Sequence, residues 1–133
     1  MTHTHPVRVY HEDTDLAGIV YYANYLRFVE RGRSEWVRGC GVDQTALKAD
    51  QGIVFAVRKV DADYLKPAKY DDLLQVTTEL LALGGASIKL RQEVWRGPDR
   101  LFTAAVTLVC LADTGHAVRI PADIRARLQP LGP

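Results

Sequence analysis

The sequence predicts an α+β domain in which an antiparallel sheet of five strands wraps one long helix, in the order strand, helix, then four strands. Three observations predict it. Residues 6–12 alternate, with Val7, Val9 and His11 on one side and Arg8, Tyr10 and Glu12 on the other, which is the period of a strand. From about Asn24 the period changes, and Tyr25, Phe28, Val29, Gly32 and Trp36 recur at the i, i+3, i+4 spacing of a helix face. Beyond residue 52, four apolar or alternating stretches follow one another, separated by turn-forming residues. A chain of 133 residues is the length of a single domain, taken here as residues 1–133.

Between the first strand and the helix, residues 13–22 carry Asp-Thr-Asp-Leu-Ala-Gly, a loop rich in turn formers. The helix places Arg31 and Glu35 one turn apart, the spacing of a modest ion pair. Gly39 and Gly41 are its stop signals. The four later strands are expected over 53–63, 74–82, 87–96 and 101–112. The third is the clearest, since Ile88, Leu90, Gln92 and Val94 alternate with Lys89, Arg91, Glu93 and Trp95. Gly84-Gly85 and Arg96-Gly97-Pro98-Asp99 read as tight turns, and strands joined so closely pair antiparallel. Pro121 suits the start of a short final helix over Ala122–Leu128. One sheet face covers the helix. Apolar residues on the other face, chiefly within 101–111, point to self-association.

Composition narrows the function. Apolar residues are 47% and charged residues 25%, ordinary for a folded protein. The 17 basic and 16 acidic side chains leave a formal charge of +1, so there is no electrostatic case for nucleic acid. No segment approaches the length of a membrane span, and the first six residues lack the apolar stretch of a secretory signal. Two cysteines, Cys40 and Cys110, sit outside any metal-type cluster and are expected as free thiols in a reducing compartment. His3 and His5 lack a third ligand and are expected in a polar tail. Neither a nucleophile elbow nor a phosphate-binding glycine loop occurs.

The densest segment runs from Tyr10 to Tyr25, Tyr-His-Glu-Asp-Thr-Asp-Leu-Ala-Gly-Ile-Val-Tyr-Tyr-Ala-Asn-Tyr. It puts acids just ahead of a helix start, whose first turn offers unpaired N–H groups and the positive end of the dipole. Those groups hold a developing oxyanion, Gly18 lets backbone approach a ligand, and a facing carboxylate serves as base or nucleophile. On spacing alone the same acids also read as a cap and a turn.

This segment, together with Phe28, Glu30-Arg31 and Glu35-Trp36, resembles the signature of the hotdog-fold thioesterases of the 4-hydroxybenzoyl-CoA thioesterase family, and within it the YbgC-type acyl-CoA thioesterases associated with the Tol–Pal system. Tyr64-Leu-Lys-Pro-Ala-Lys-Tyr-Asp-Asp-Leu-Leu and Arg119-Ile-Pro extend the likeness over nearly the whole chain. The resemblance implies hydrolysis of an acyl-CoA to a carboxylic acid and CoA, with Asp15 as catalytic carboxylate and an oxyanion donor in the main chain near Tyr22. It implies substrate contacts from Gly18, Val20, Tyr21, Tyr25 and Glu30, no metal or redox cofactor, a cytoplasmic location, and a homo-oligomer, either a dimer or a homotetramer built as a dimer of dimers. Asp13 reads as structural.

Two departures stand out. The resemblance leads one to expect Tyr four residues before the catalytic Asp and His seven after it, whereas this chain has His11 and Tyr22 at those places. Either the two meet in the site and still supply one imidazole and one phenol, or His11 packs beside Val7 and Val9 and Tyr22 lends only its backbone. The turn that carries basic residues for CoA phosphates in the hydroxybenzoyl branch is the uncharged Leu83-Gly84-Gly85-Ala86, which leaves Lys59, Lys66, Lys69, Lys89 and Arg91 as candidates. Asp71-Asp72 reads as a turn leading into a strand. Two rivals to hydrolysis are a thioester dehydratase, whose helix histidine is missing here, and a non-enzymatic acyl-thioester-binding or scaffold protein of the Tol–Pal cell-envelope system.

Overall fold

The computed structural model describes residues 2–129. Five strands, β1 Thr2–Arg8, β2 Ile53–Tyr64, β3 Leu73–Leu83, β4 Ser87–Arg96 and β5 Asp99–Ala112, form one sheet in the order β1-β3-β4-β5-β2. Every pairing is antiparallel. The helices are α1 Asn24–Gly39, α2 Gln44–Gln51 and α3 Ala122–Leu128. No helix among the described residues is long and apolar enough to cross a membrane.

Helix α1 lies across β1, β3 and β4 and buries Tyr25, Phe28, Val29, Gly32, Trp36 and Val37, the expected face with Val37 added. The sheet answers with period-two positions: Leu74, Val76 and Thr78 on β3, and Ile88, Leu90, Gln92 and Val94 on β4, all fully buried. A side chain such as Phe28, wholly out of water, stabilises the fold by roughly 1.5–3 kcal/mol. One buried polar group crosses this interface. The Gln92 amide donates to the Val29 carbonyl of α1 at 2.8 Å and to Thr78 Oγ1 at 2.9 Å, so the polar atoms it brings inside find partners.

Four expectations are corrected. β1 starts at Thr2, so His3 and His5 lie in a strand paired with Thr78 and Val76 of β3. Thr2 and Thr4 face solvent while the two histidines are half buried, and that alternation was the signal in a stretch expected as tail. The strand also ends at Arg8, before His11, which opens a single 3-10 turn over His11–Asp13. Helix α2 went unread because it is two turns long and buries one residue, Leu47. Its ends are regular: the Asp43 carboxylate accepts from Ala46 N–H at 3.1 Å, and Gly52 closes it at φ +64°. Glu35 pairs with Arg38 in the last turn of α1 rather than with Arg31. On the outer face of β5, Thr103, Thr107 and Val109 are half buried and Ala105 is exposed, and larger exposed apolar groups gather on β2 and the segment after it, including Val54, Val57, Val60, Tyr64 and Leu65.

Gly32 sets how closely α1 approaches the sheet. A Cβ at this position would stand 2.5 Å from Val76 Cγ1, inside contact distance, on a fully buried side chain with no room to turn. Gly32→Ala is therefore expected to destabilise the fold by about 1–3 kcal/mol despite alanine's better helix propensity. An unfolding midpoint equal to that of the unsubstituted chain would refute this.

Candidate functional site

The segment ahead of α1 is a short antiparallel ladder. Thr14 bridges Val20, Asp15 N–H donates to the Ile19 carbonyl at 2.9 Å, and Tyr21 N–H donates to the Asp13 carbonyl at 2.9 Å. Gly18, at φ +79°, closes the turn and donates its N–H to the Asp15 carbonyl at 3.0 Å. The left-handed conformation suits glycine, and open space surrounds it.

The two aspartates play different parts. Asp13 is buried, and its carboxylate accepts from Tyr10 N–H at 2.8 Å. Its carbonyl takes both Tyr21 N–H and the Asn24 side-chain amide at 2.9 Å. It holds the ladder to the helix start. Asp15 is exposed. One of its carboxylate oxygens accepts from Ala17 N–H at 2.9 Å, which orients the group, and among the described residues the other has no partner.

Helix α1 starts without a side-chain cap and without an acid in its first turn. The N–H groups of Asn24, Tyr25 and Leu26 reach the carbonyls of Tyr21, Tyr22 and Ala23. Among the described residues, the N–H groups of Tyr22 and Ala23 have no acceptor. Two donors are thus left at the positive end of the helix, where anionic charge is favoured.

The segment after β2 clamps this start. Val20 N–H donates to the Ala68 carbonyl at 2.9 Å, and Ala68 N–H donates to Tyr25 Oη at 2.9 Å. Tyr64 Oη donates to the Tyr22 carbonyl at 3.1 Å, and Ile19 bridges Lys69. Burial pushes the Tyr25 phenol above its ordinary pKa, the Ala68 bond working the other way, so the phenol stays neutral.

Asp72 anchors the clamp. Its carboxylate accepts from Arg96 at 2.8 Å and from Lys69 N–H at 2.9 Å, and its own carbonyl takes Val9 N–H at 2.9 Å. Burial would raise its pKa, but Arg96 and the Lys69 N–H outweigh that and hold the carboxyl below its ordinary value. Asp71, beside it, occupies φ +69°, which confirms a tight turn into β3.

Five of the predicted site residues line three separate clefts, and Asp15, Gly18 and Tyr21 line none of these. Val20, Tyr22 and Tyr25 line one of about 310 Å³ with Ile19, Tyr64 and Lys66. Lys66 is the one candidate phosphate-binding cation in its wall, and it pairs with Asp99 at 3.4 Å. Tyr21 stands at the rim, edge-on to Tyr22 at 4.9 Å. His11 lines a second cleft of about 440 Å³ with Val9, Tyr10 and Tyr70. Its ring stacks on Tyr70, centroids 3.9 Å apart, instead of packing inward beside Val7 and Val9. Glu30 lines a third, of about 210 Å³, with Arg33, Val37 and Phe55. Its carboxylate accepts from Ser34 Oγ at 3.1 Å. A single chain therefore groups Tyr22 with Val20 and Tyr25, and places His11 and Glu30 apart from them. A further cleft, about 520 Å³, lies at the far end of α1 and is lined by Ser34, Arg38 and Asp43 among others, none of them predicted site residues. Burial raises the pKa of both cysteine thiols, which keeps them protonated and unreactive.

Sequence reasoning marked the 64–74 motif but missed the roles of Tyr64, Ala68 and Arg96. Tyr64 and Ala68 lay within that motif, while Arg96 read only as part of a turn.

Comparison with known proteins gives one consistent answer. Residues 17–103 match the model of the thioesterase superfamily. The chain is 41% identical over 128 residues to an acyl-CoA thioesterase, YbgC, of Haemophilus influenzae, covering 95% of this chain and 93% of that one. A crystal structure of a probable thioesterase from Bartonella henselae superimposes with a TM-score of 0.86 at 36% identity, over 91% of this chain and all of that one. An aspartate-to-asparagine mutant of a 4-hydroxybenzoyl-CoA thioesterase, crystallised with 4-hydroxybenzoyl-CoA, does so with a TM-score of 0.89 at 25% identity, over 96% of this chain and 99% of that one.

Asp72 makes the clamp sensitive to acid. Its pKa is lowered by folding, so its contribution to stability is in place above the ordinary carboxyl value of 3.8 and is lost as the pH falls through the lower folded value. Asp72→Asn is expected to be less stable than the unsubstituted chain by about 1 kcal/mol at neutral pH. The gap should close below about pH 4. Denaturant titrations at neutral and acid pH test this, and a gap that persists unchanged into acid would contradict it.

Proposed function

The chain belongs to the thioesterase superfamily, and from that premise we propose that it acts as one thioesterase domain, with Asp15 as the carboxylate that cleaves an acyl-CoA into a carboxylic acid and free CoA. The observation that carries this reading is the pair of open N–H groups at Tyr22 and Ala23, at the mouth of α1. A rigid hairpin joins that mouth to Asp15. The N–H groups polarise the thioester carbonyl and take up the negative charge that develops on its oxygen. Asp15 either draws a proton from water as that water attacks the carbonyl carbon, or attacks the carbon itself to give a mixed anhydride that water then opens. In both routes the C–S bond breaks, CoA leaves as a thiol once protonated, and the acid keeps an oxygen that came from water or from Asp15.

Gly18, Val20, Tyr21 and Tyr25 shape the thioester end of the pocket. Glu30, in a separate cleft of the same chain, reaches the acyl group in this reading only from a second copy. Tyr22 supplies a phenol, and His11, set in a separate cleft of the same chain, adds an imidazole in this reading only from a second copy. CoA belongs to the substrate, and the reading assigns no metal or redox cofactor.

The reading also assigns a homo-oligomer, a dimer or a dimer of dimers. β2 supports it. This strand is 12 residues long, pairs only with β5 among the described strands, and exposes Val54, Val57 and Val60. An edge of that length with apolar side chains invites a second strand. A cytoplasmic location follows from the substrate class and agrees with two free thiols.

Asp15→Asn is expected to lower kcat by about 10²–10⁴-fold across a series of acyl-CoA chain lengths while substrate binding survives. Full turnover in that variant would remove Asp15 from the mechanism. A chain inactive on every acyl-CoA and acyl-carrier thioester would favour the acyl-thioester-binding scaffold instead. His11→Ala and Tyr22→Phe are both expected to slow turnover, and if neither does, the two side chains take no part. Val60→Glu is expected to shift the mass in sedimentation equilibrium from oligomer to monomer. A wild-type chain already monomeric would contradict the assembly.

A further inference from the structure

Tyr64 ends β2 and has no role in the reading above. We propose that it is a positioning residue of the hydrolytic site, holding the Tyr22 main chain so that its N–H faces the substrate carbonyl. This rests on the assignment of the α1 mouth as the oxyanion site.

Three observations carry it. The Tyr64 hydroxyl donates to the Tyr22 carbonyl at 3.1 Å, across 42 residues of sequence. The other hydrogen bond to that carbonyl is local, from Tyr25 N–H at 3.4 Å. Among the described residues, Tyr64 thus makes the one hydrogen bond that ties Tyr22 to the sheet.

The Tyr64 ring is itself held. It stands edge-on to Phe102 at 5.1 Å, to Tyr25 at 5.4 Å and to Tyr22 at 6.2 Å. Phe102 is fully buried, so the hydroxyl is positioned from the core. Such preorganisation is what makes a main-chain donor effective, because no reorganisation is needed as charge develops.

The third observation concerns protonation and place. Partial loss of hydration, with a smaller effect of Tyr22, pushes the half-exposed Tyr64 phenol above its ordinary pKa, so its O–H stays a donor over any pH at which a carboxylate works. Tyr64 also lines the cleft that Tyr22 opens onto. A bond to a carbonyl further polarises the peptide that carries it, and here that peptide bears the Ala23 N–H.

Tyr64→Phe keeps the ring and removes only the bond, whereas Tyr64→Leu removes both. Steady-state kinetics on an acyl-CoA, with thermal unfolding in parallel, separates positioning from packing. The expected result for Tyr64→Phe is a kcat lowered about three- to tenfold, with KM and the unfolding midpoint unchanged. Tyr64→Leu should add instability but little further loss of kcat. The inference is overturned if Tyr64→Phe keeps full kcat, if only KM changes, or if the loss appears only with Tyr64→Leu. Asp15→Asn in the same assay keeps the two ideas apart. An inactive Asp15→Asn beside a fully active Tyr64→Phe removes the role of Tyr64 alone, while an active Asp15→Asn, or a wild type silent on every acyl-CoA, removes both.

Discussion

The site depends on a single residue, Ala68, which bonds both the hairpin and the helix from the segment after β2. Its carbonyl holds Val20 in the hairpin and its N–H holds Tyr25 in the helix. The hairpin fixes where Asp15 stands, and the helix fixes where the open amides point. A loop carboxylate and a helix terminus have independent degrees of freedom, and fixing each residue's backbone opposes folding by roughly 1–2 kcal/mol. Tying both to one fully buried residue converts two positions into one rigid relation. Pro67 before it and the Asp72–Arg96 pair after it limit how far that residue can move.

The absence of a cap on α1 belongs to the same arrangement. A Ser, Thr, Asp or Asn at the helix start would satisfy the first amides and stabilise the helix by about 1 kcal/mol. Ala23 stands at that position instead. The nearest acid in the hairpin, Asp13, is turned inward and spent on Tyr10 N–H. The helix therefore rests on its buried face, where Phe28, Val29 and Gly32 meet the sheet and Gln92 holds a helix carbonyl from below. Strong packing along the helix permits a weak, open terminus.

How much of this was legible follows from the range of each interaction. The strands and α1 were readable because their periods run over many residues, and the 10–25 and 64–74 stretches were readable as motifs. The segment pointed to Asp15 opposite the helix mouth and Asp13 in a structural role; in the fold Asp13 is buried and Asp15 exposed. Other features depend on chain segments far apart. Tyr64 reaches Tyr22 across 42 residues, and Arg96 reaches Asp72 across 24; neither pairing leaves a periodic mark. His11 was misjudged because alternation carried it into β1, whereas the backbone turns at Tyr10 and the ring finds Tyr70. Helix α2 was missed because one buried leucine does not make a pattern. β1 was read short because histidine and threonine alternating at a terminus look polar.

The exposure of Asp15 fits the role proposed for it. A carboxylate surrounded by water is fully solvated, and the same water competes for amides at the helix mouth. Both groups gain strength only when a ligand excludes that water, since charge interactions grow as the local dielectric falls. The surroundings suit such a cover. Leu16 is fully exposed, and Tyr21 and Tyr22 are 46% and 61% exposed, an apolar rim around a charged group that has no use for it in the empty chain. An acyl thioester laid on this rim, or a second copy of the chain closing over it, would dry the space between carboxylate and amides without moving either. The rigid clamp at Ala68 and the open, wet surface in front of it are then two halves of one requirement: geometry fixed beforehand, and a field that switches on only when the site is filled.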